Sequence, residues 1–176
     1  MGFTNEYTLL RDKSNVYKSV DYDKVMKMIN HFKTGVIFVG GPWCKNCQAV
    51  VGIVNKVAKD NKIKTIYHYD PRFINIFKEE VDLRDCKDLE TKLKYYEFIE
   101  KIEYKSDKYV VDTLIPRLNV PAIIGIKNGI CVGVIDEEYV YDAAGLHVED
   151  SLEDKTVEYS NKLTELFKKV KEKNKL

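Results

Sequence analysis

The run Gly35-Val36-Ile37-Phe38-Val39-Gly40 leads through Gly41-Pro42 into Trp43-Cys44-Lys45-Asn46-Cys47. Its interior is β-branched or aromatic and carries no polar residue, the pattern of a central strand buried on both faces. Gly41-Pro42 ends that strand. From Cys47 the period changes: Cys47, Val50, Val51, Val54, Val57 and Ala58 fall on one stripe at helical spacing. A buried strand that passes in one turn into an amphipathic helix belongs to a sheet covered by helices, which is an α/β architecture. Two cysteines, two residues apart, sit on the first turn of that helix.

The rest of the chain supports this class. Tyr7 to Leu10 reads as a short edge strand. Asp21 is an N-cap candidate for a helix whose inward residues are Tyr22, Val25, Met26, Ile29 and Phe32, with Gly35 as its stop. Gly52 marks a kink in the cysteine helix, and Asp60-Asn61 ends it. Lys64 to Tyr69 is a second strand. Asp70-Pro71 fits an N-cap followed by proline at the first helical position, predicting a helix with Phe73, Ile74, Ile76 and Phe77 buried. Asp88 caps another helix, in which Leu89, Leu93, Tyr96 and Ile99 share a face, flanked by Tyr95, Phe98 and Ile102; Ser106-Asp107 closes it. Pro121 to Lys127 and Ile130 to Ile135 are strands joined by Asn128-Gly129, a strong two-residue hairpin signal. Residues 136–150 are ambiguous. Ser151-Leu152-Glu153-Asp154 matches a capping box and opens a last helix with Leu163, Leu166, Phe167 and Val170 inward.

A chain of 176 residues fits one domain, 1–176, and buries a full core without staples. Its 29 basic and 28 acidic residues leave a net charge of +1, which offers no electrostatic attraction to nucleic acid or to an anionic membrane. No apolar run approaches the roughly 20 residues that span a bilayer. The first residues lack the basic and apolar regions of a signal peptide, so a cytoplasmic location is expected, with the protein a monomer.

Four cysteines do not make a disulfide framework in a chain of this length. Cys44 and Cys47 form a pair, while Cys86 and Cys131 have no evident partner. At a helix N-terminus the unpaired N–H groups and the helix dipole stabilise a thiolate, and Lys45 adds positive charge nearby. Cys44 is then the exposed nucleophile and Cys47, one turn in, the thiol that resolves a mixed disulfide. The same spacing serves half of a zinc site, but zinc needs four ligands, there is no second such pair, and His31, His68 and His147 are scattered. No metal and no cofactor is expected. Plainer readings stand beside these. Lys45 reads equally as a solvated lysine, Trp43 as a packed aromatic, His68 as a core histidine, Cys131 as a buried inert thiol and Cys86 as a free surface thiol. An X-Pro bond such as Val120–Pro121 is ordinarily trans.

Phe38 to Cys47 with the following helix, together with Asn119-Val120-Pro121-Ala122-Ile123-Ile124-Gly125-Ile126-Lys127-Asn128-Gly129, resembles thioredoxin. The likeness covers Gly35 to Asp70 and Leu118 to about Asp136, with the flanking helices. It implies a thioredoxin-like fold, a central mixed sheet with helices on both faces and a helical insertion at about 72–115. It implies that Trp43 covers the dithiol, that Pro121 is the family's cis-proline, and that the backbone at Val120 pairs with a substrate strand. Gly52 stands where the family often has a kinking proline. The resemblance has departures. The dipeptide between the cysteines is Lys-Asn and not Gly-Pro, and Phe38 stands where thioredoxins carry a buried aspartate that helps deprotonate the second cysteine. His68 is a candidate substitute for that base. The insertion is similar in placement to the helical domain of periplasmic thiol oxidases and, more weakly, to accessory thioredoxin-like proteins of bacteriocin export. The absence of a Gly-Gly pair after the Pro121 strand disfavours a glutaredoxin.

The resulting expectation is a thiol–disulfide oxidoreductase acting on protein disulfides, recycled by a reductase of the thioredoxin-reductase type. The alternative is an accessory or chaperone module that keeps the fold with little turnover.

Overall fold

The computed structural model describes residues 3–85, 87–136 and 152–173. Its elements, in order, are α1 (Phe3–Glu6), β1 (Tyr17–Val20), α2 (Tyr22–Asn30), β2 (Gly35–Val39), α3 (Lys45–Asp60), β3 (Ile66–Tyr69), β4 (Arg72–Ile74), β5 (Glu80–Asp82), α4 (Leu89–Lys101), β6 (Ala122–Lys127), β7 (Ile130–Ile135) and α5 (Leu152–Lys171).

Five strands form one mixed sheet in the order β1-β3-β2-β6-β7. β1, β3 and β2 run parallel, while β6 is antiparallel to β2 and β7 to β6. β2 lies in the middle, and its side chains from Val36 to Val39 are all buried, as a continuous apolar run requires. Alternation along β2 divides the core in two. Val36 and Phe38 face the layer of α3 and α5, meeting Val50, Val54, Leu163 and Phe167. Ile37 and Val39 face the layer of α2 and α4, meeting Val25, Ile29, Phe98 and Ile99. Helices on both faces of a five-stranded mixed sheet match the architecture read from the sequence.

The cysteine helix carries its stripe as predicted, with Cys47, Val50, Val51, Val54, Val57 and Ala58 all buried, and it runs unbroken through Gly52. Asp21 caps α2 by accepting from Lys24 N–H. Asn128 and Gly129 turn the β6–β7 hairpin with φ of 51° and 78°, the left-handed pair of a type I′ turn. Leu163, Leu166, Phe167 and Val170 of α5 are buried.

Other expectations are corrected. Tyr7 to Leu10 is a turn after α1, not an edge strand; the edge strand is β1. Tyr7 turns inward and is fully buried. α2 stops before Phe32, which adopts the left-handed φ of 55° that ends the helix and so points its ring to solvent. Asp70-Pro71 starts no helix. The chain there forms the antiparallel pair β4–β5, because the Asn75 side chain accepts from the N–H groups of Phe77 and Glu79 and closes a turn. Phe73, Ile74, Ile76 and Phe77 are therefore exposed rather than buried. In α4, capped by Asp88 as predicted, the inward residues are Thr91, Tyr95, Phe98 and Ile99, with Ile102 following, while Leu89, Leu93 and Tyr96 face solvent. Tyr95 fixes that rotation: its hydroxyl donates to Pro116 O at 2.8 Å and accepts from Leu118 N–H at 2.7 Å. The helix ends at Lys101, before Ser106-Asp107. The described residues from 72 to 115 thus hold a β-hairpin and one helix. The readings of Cys86, of positions 137–150 and of the Ser151 capping box fall outside the described residues.

Candidate functional site

Strand register brings the site together. Val39, at the end of β2, pairs with Tyr69 at the end of β3 and with Ala122 at the start of β6. The loops that carry Cys44, Asp70 and Pro121 therefore meet at one end of the sheet.

Cys44 is the N-cap of α3. Its extended backbone (φ −94°, ψ 118°) turns the sulfur over the helix end, where it accepts from Cys47 N–H at 3.2 Å. The helix thus gives one of its unpaired N–H groups to the sulfur. The thiol of Cys47 is also hydrogen-bonded to it, and this is the main cause that brings the Cys44 pKa down from 9.0 to about 7, against the opposing effect of burial. The backbone N–H groups of Cys47 and Asn46 and the charge of Arg84 act in the same direction. Cys47 is fully buried, and burial, with the Cys44 sulfur second, pushes its pKa far up. One cysteine is therefore poised to ionise near neutral pH while the other keeps its proton. Gly40 makes room for the second: a Cβ there would lie 2.5 Å from Cys47 Sγ.

The Val120–Pro121 peptide is cis. Val120 O lies 3.8 Å from Cys44 Sγ, within reach of the thiol proton. Pro121 is buried and Val120 half-buried, and both sit directly before β6.

Trp43 is held by Asp70. The indole N–H lies 3.0 and 3.1 Å from the two carboxylate oxygens, and Gly41 is bare beneath that bond, where a Cβ would collide with both partners. Arg72 stacks on the indole with its guanidinium carbon 3.8 Å from the ring centroid. Arg84, only 5% exposed, stands 5.7 Å from the same ring, forks onto Asp82 and donates to Leu118 O at 3.0 Å. Lys45 is exposed, and the cation that acts on both sulfurs is Arg84. Asp70, Arg72 and Arg84 escape a reading of the sequence because the hairpin that delivers them is masked by its Asp-Pro start. The one local signal was Asn75, a turn former four residues before Glu79.

Behind the buried cysteine stand Phe38, Tyr7 and His68. The Phe38 ring packs against Tyr7 and Tyr17 edge to face, with centroids 6.4 and 5.6 Å away. His68 is buried, and burial brings its pKa down to about 4, a hydrogen bond to the Gly40 backbone opposing. With its ring N–H engaged by the Gly40 backbone, the neutral ring offers Nε2, 2.7 Å from Tyr7 Oη, as acceptor for the phenol's proton. Among the described residues no carboxylate hydrogen-bonds Cys47 Sγ. Cys131 lies in β7, half-buried, its thiol facing Gly133 O at 3.6 Å and its pKa raised by burial. The described residues contain no group of histidine, cysteine and acidic side chains arranged to hold a metal, and none of their helices is long and apolar enough to cross a membrane.

No family model matches the sequence, and no curated protein matches it. Among solved structures, thioredoxin O2 from Arabidopsis thaliana in the oxidised state is similar at a TM-score of 0.43 and 11% identity, covering 87% of this chain and 96% of that one. Thioredoxin F from spinach chloroplast, long form, is similar at 0.40 and 14% identity, covering 93% and 95% respectively. On its strand order and its two helical layers, this chain has a thioredoxin-like fold.

Proposed function

We propose that this protein is a thiol–disulfide oxidoreductase. The observation that carries the reading is the split between the two sulfurs: Cys44, at the helix end, has its pKa brought down to about 7, while burial holds Cys47 protonated. The Cys44 thiolate attacks one sulfur of a substrate disulfide. The S–S bond breaks, the departing sulfur leaves as a thiolate and takes a proton from solvent, and a mixed disulfide forms. Cys47 then loses its proton and attacks Cys44 Sγ. This releases the second substrate sulfur as a thiol and leaves a Cys44–Cys47 disulfide, two electrons having passed to the substrate. The Val120 backbone beside Pro121 is suited to pair with an extended substrate segment across the sulfur. Trp43, held by Asp70, shields the dithiol from water. Lys45 faces solvent, where it meets a substrate from outside.

Insulin disulfide reduction tests this reading. The wild-type chain should precipitate insulin B chain in the presence of dithiothreitol, Cys44→Ser should not, and Cys47→Ser should accumulate a mixed disulfide. A redox titration of the pair against glutathione buffers then sets direction. A value near roughly −270 mV indicates a reductant and one between about −180 and −120 mV an isomerase or oxidant. The alternative, an accessory module with little turnover, is favoured by one observation: Phe38 and not an acid backs Cys47, so its deprotonation is unassisted by a carboxylate. Failure of the pair to form a disulfide at any poise would select that alternative.

A further inference from the structure

The β4–β5 hairpin does more than deliver Arg84. Together with the start of α2 and the start of α4 it walls an open groove of about 1240 Å³. Pro42 and Asp70 line the groove beside the dithiol loop, and Phe73, Ile74 and Phe77 line it on the hairpin. These last three are exposed to 39%, 64% and 75%, too far for a hairpin to be covering its own core. Exposed large apolar residues gathered around one groove mark an interaction site.

Charge narrows what fits there. Nine of the side chains lining the groove are Asp or Glu and three are Lys or Arg, in a chain whose overall charge is +1. Arg84 and Arg117 pair with Asp82 and Asp85 from behind the wall. Counting them, nine anions still face five cations. Glu6, Asp23 and Glu79 are exposed and form no ion pair among the described residues. They stand on three separate elements around the opening, so their fields add within it.

We propose that this groove binds an extended polypeptide segment in which Lys or Arg alternates with large apolar residues, and that it feeds the disulfide of that client to Cys44. The delivery step rests on the dithiol chemistry proposed above; the binding step does not. The apolar side chains of the segment lie on Phe73, Ile74 and Phe77, and its cations face Glu6, Asp23 and Glu79.

The probes are two fluorescein-labelled, cysteine-free peptides of twelve residues that share their Leu and Phe positions and differ only in carrying four Lys or four Glu. Binding to the full-length reduced protein is read by fluorescence anisotropy. At 50 mM NaCl the Lys peptide should bind at least about tenfold tighter than the Glu peptide, as for complementary charges at an interface. At 500 mM NaCl that ratio should fall severalfold, because the acids are solvent-facing. The double variant Asp23→Lys/Glu79→Lys should remove the preference, and Phe77→Ser should weaken the Lys peptide by about fivefold, the loss of one apolar anchor. Reduction of hydroxyethyl disulfide, too small to use the groove, should be unchanged in both variants and shows that they are folded. Equal affinity for the two peptides, a preference that survives the charge reversal, or a dimer in sedimentation that Phe77→Ser dissolves would each overturn the proposal. If hydroxyethyl disulfide is not reduced even by the wild-type chain, the dithiol reading fails, while the anisotropy result still decides the groove.

Discussion

Replacing Cys47 by Ala removes the thiol that hydrogen-bonds the Cys44 sulfur, the leading cause of its low pKa. The backbone N–H of residue 47 remains, so the helix-end contribution is kept. A hydrogen bond to a charged acceptor contributes up to about 3 kcal/mol, and a weak S–H donor roughly 1 kcal/mol of that range. At 1.36 kcal/mol per unit this moves the Cys44 midpoint from about 7 to just under about 8. The thiolate fraction at pH 7 then falls from about half to about one-seventh. Each remaining thiolate is about twofold more nucleophilic, since reactivity rises with basicity with a slope of roughly 0.4–0.5. The two effects oppose, so the pH–rate profiles must cross: the variant is slower in acid, faster in alkali, and equal to wild type near about pH 7.5. Release of the first aromatic thiol from a small aromatic disulfide, followed from about pH 5 to about 9.5, reads this directly in both chains, and in Cys47→Ala the mixed disulfide that remains is located at Cys44 by peptide mass spectrometry. Cys47→Ser keeps a donor and should hold the midpoint near that of wild type. A Cys47→Ala profile that does not move, or moves to lower pH, would refute the assignment of the low pKa to the Cys47 thiol.

Tyr7→Phe leaves the buried Nε2 of His68 without its 2.7 Å partner and should cost about 1–3 kcal/mol, read as a shift in the urea midpoint; an unchanged midpoint would sink the account of that pair. His68 is buried neutral, with its folded pKa brought down to about 4 by burial, so the unfolded chain binds its proton first. Stability should fall as pH drops from about 6.5 towards about 4, by up to about 3 kcal/mol from this group, and His68→Gln should flatten that part of the pH–stability curve. Phe38→Asp, which introduces the acid that the thioredoxin resemblance would place at this position, puts a carboxylate among Tyr7, Tyr17 and His68 rings and should destabilise by about 3 kcal/mol or more; a variant as stable as wild type would contradict the packing described. Phe167→Ala empties a fully buried position between α5 and the sheet and should cost about 3–5 kcal/mol in chemical denaturation.

The parts of this molecule that were legible in its sequence are those set by neighbours in the chain. β2 is an unbroken apolar run, α3 a six-residue stripe at helical period, and the β6–β7 turn an Asn-Gly whose left-handed angles few other pairs adopt. The cysteine pair was legible for the same reason. What was hidden depends on distant partners. Phe73, Ile74, Ile76 and Phe77 have the composition of a buried helix face, but no core lies where that helix would go, and the Asn75 turn prevails. Leu89, Leu93 and Tyr96 lose the inward face of α4 to Thr91, Tyr95 and Phe98, because the Tyr95 hydroxyl finds two backbone partners beside Leu118 that no local pattern announces. Tyr7 is drawn inward by a histidine far along the chain, and the charge of Arg84 acts on the sulfurs from a hairpin that follows β3.

The pairing of Val39 with Ala122 also sets the order in which the parts of this end of the sheet can meet during synthesis. Cys44 and Cys47 leave the ribosome long before β6, and a nascent chain ending at α3 presents two thiols without Arg84, without Pro121 and with an open sheet edge at β2. Pairing of that edge is a late, long-range event, as contacts between distant segments are. The Cys47 thiol and the helix-end N–H groups that act on Cys44 come with α3 itself, whereas the contact with Val120 waits until the chain has reached β6 and that strand has paired with β2.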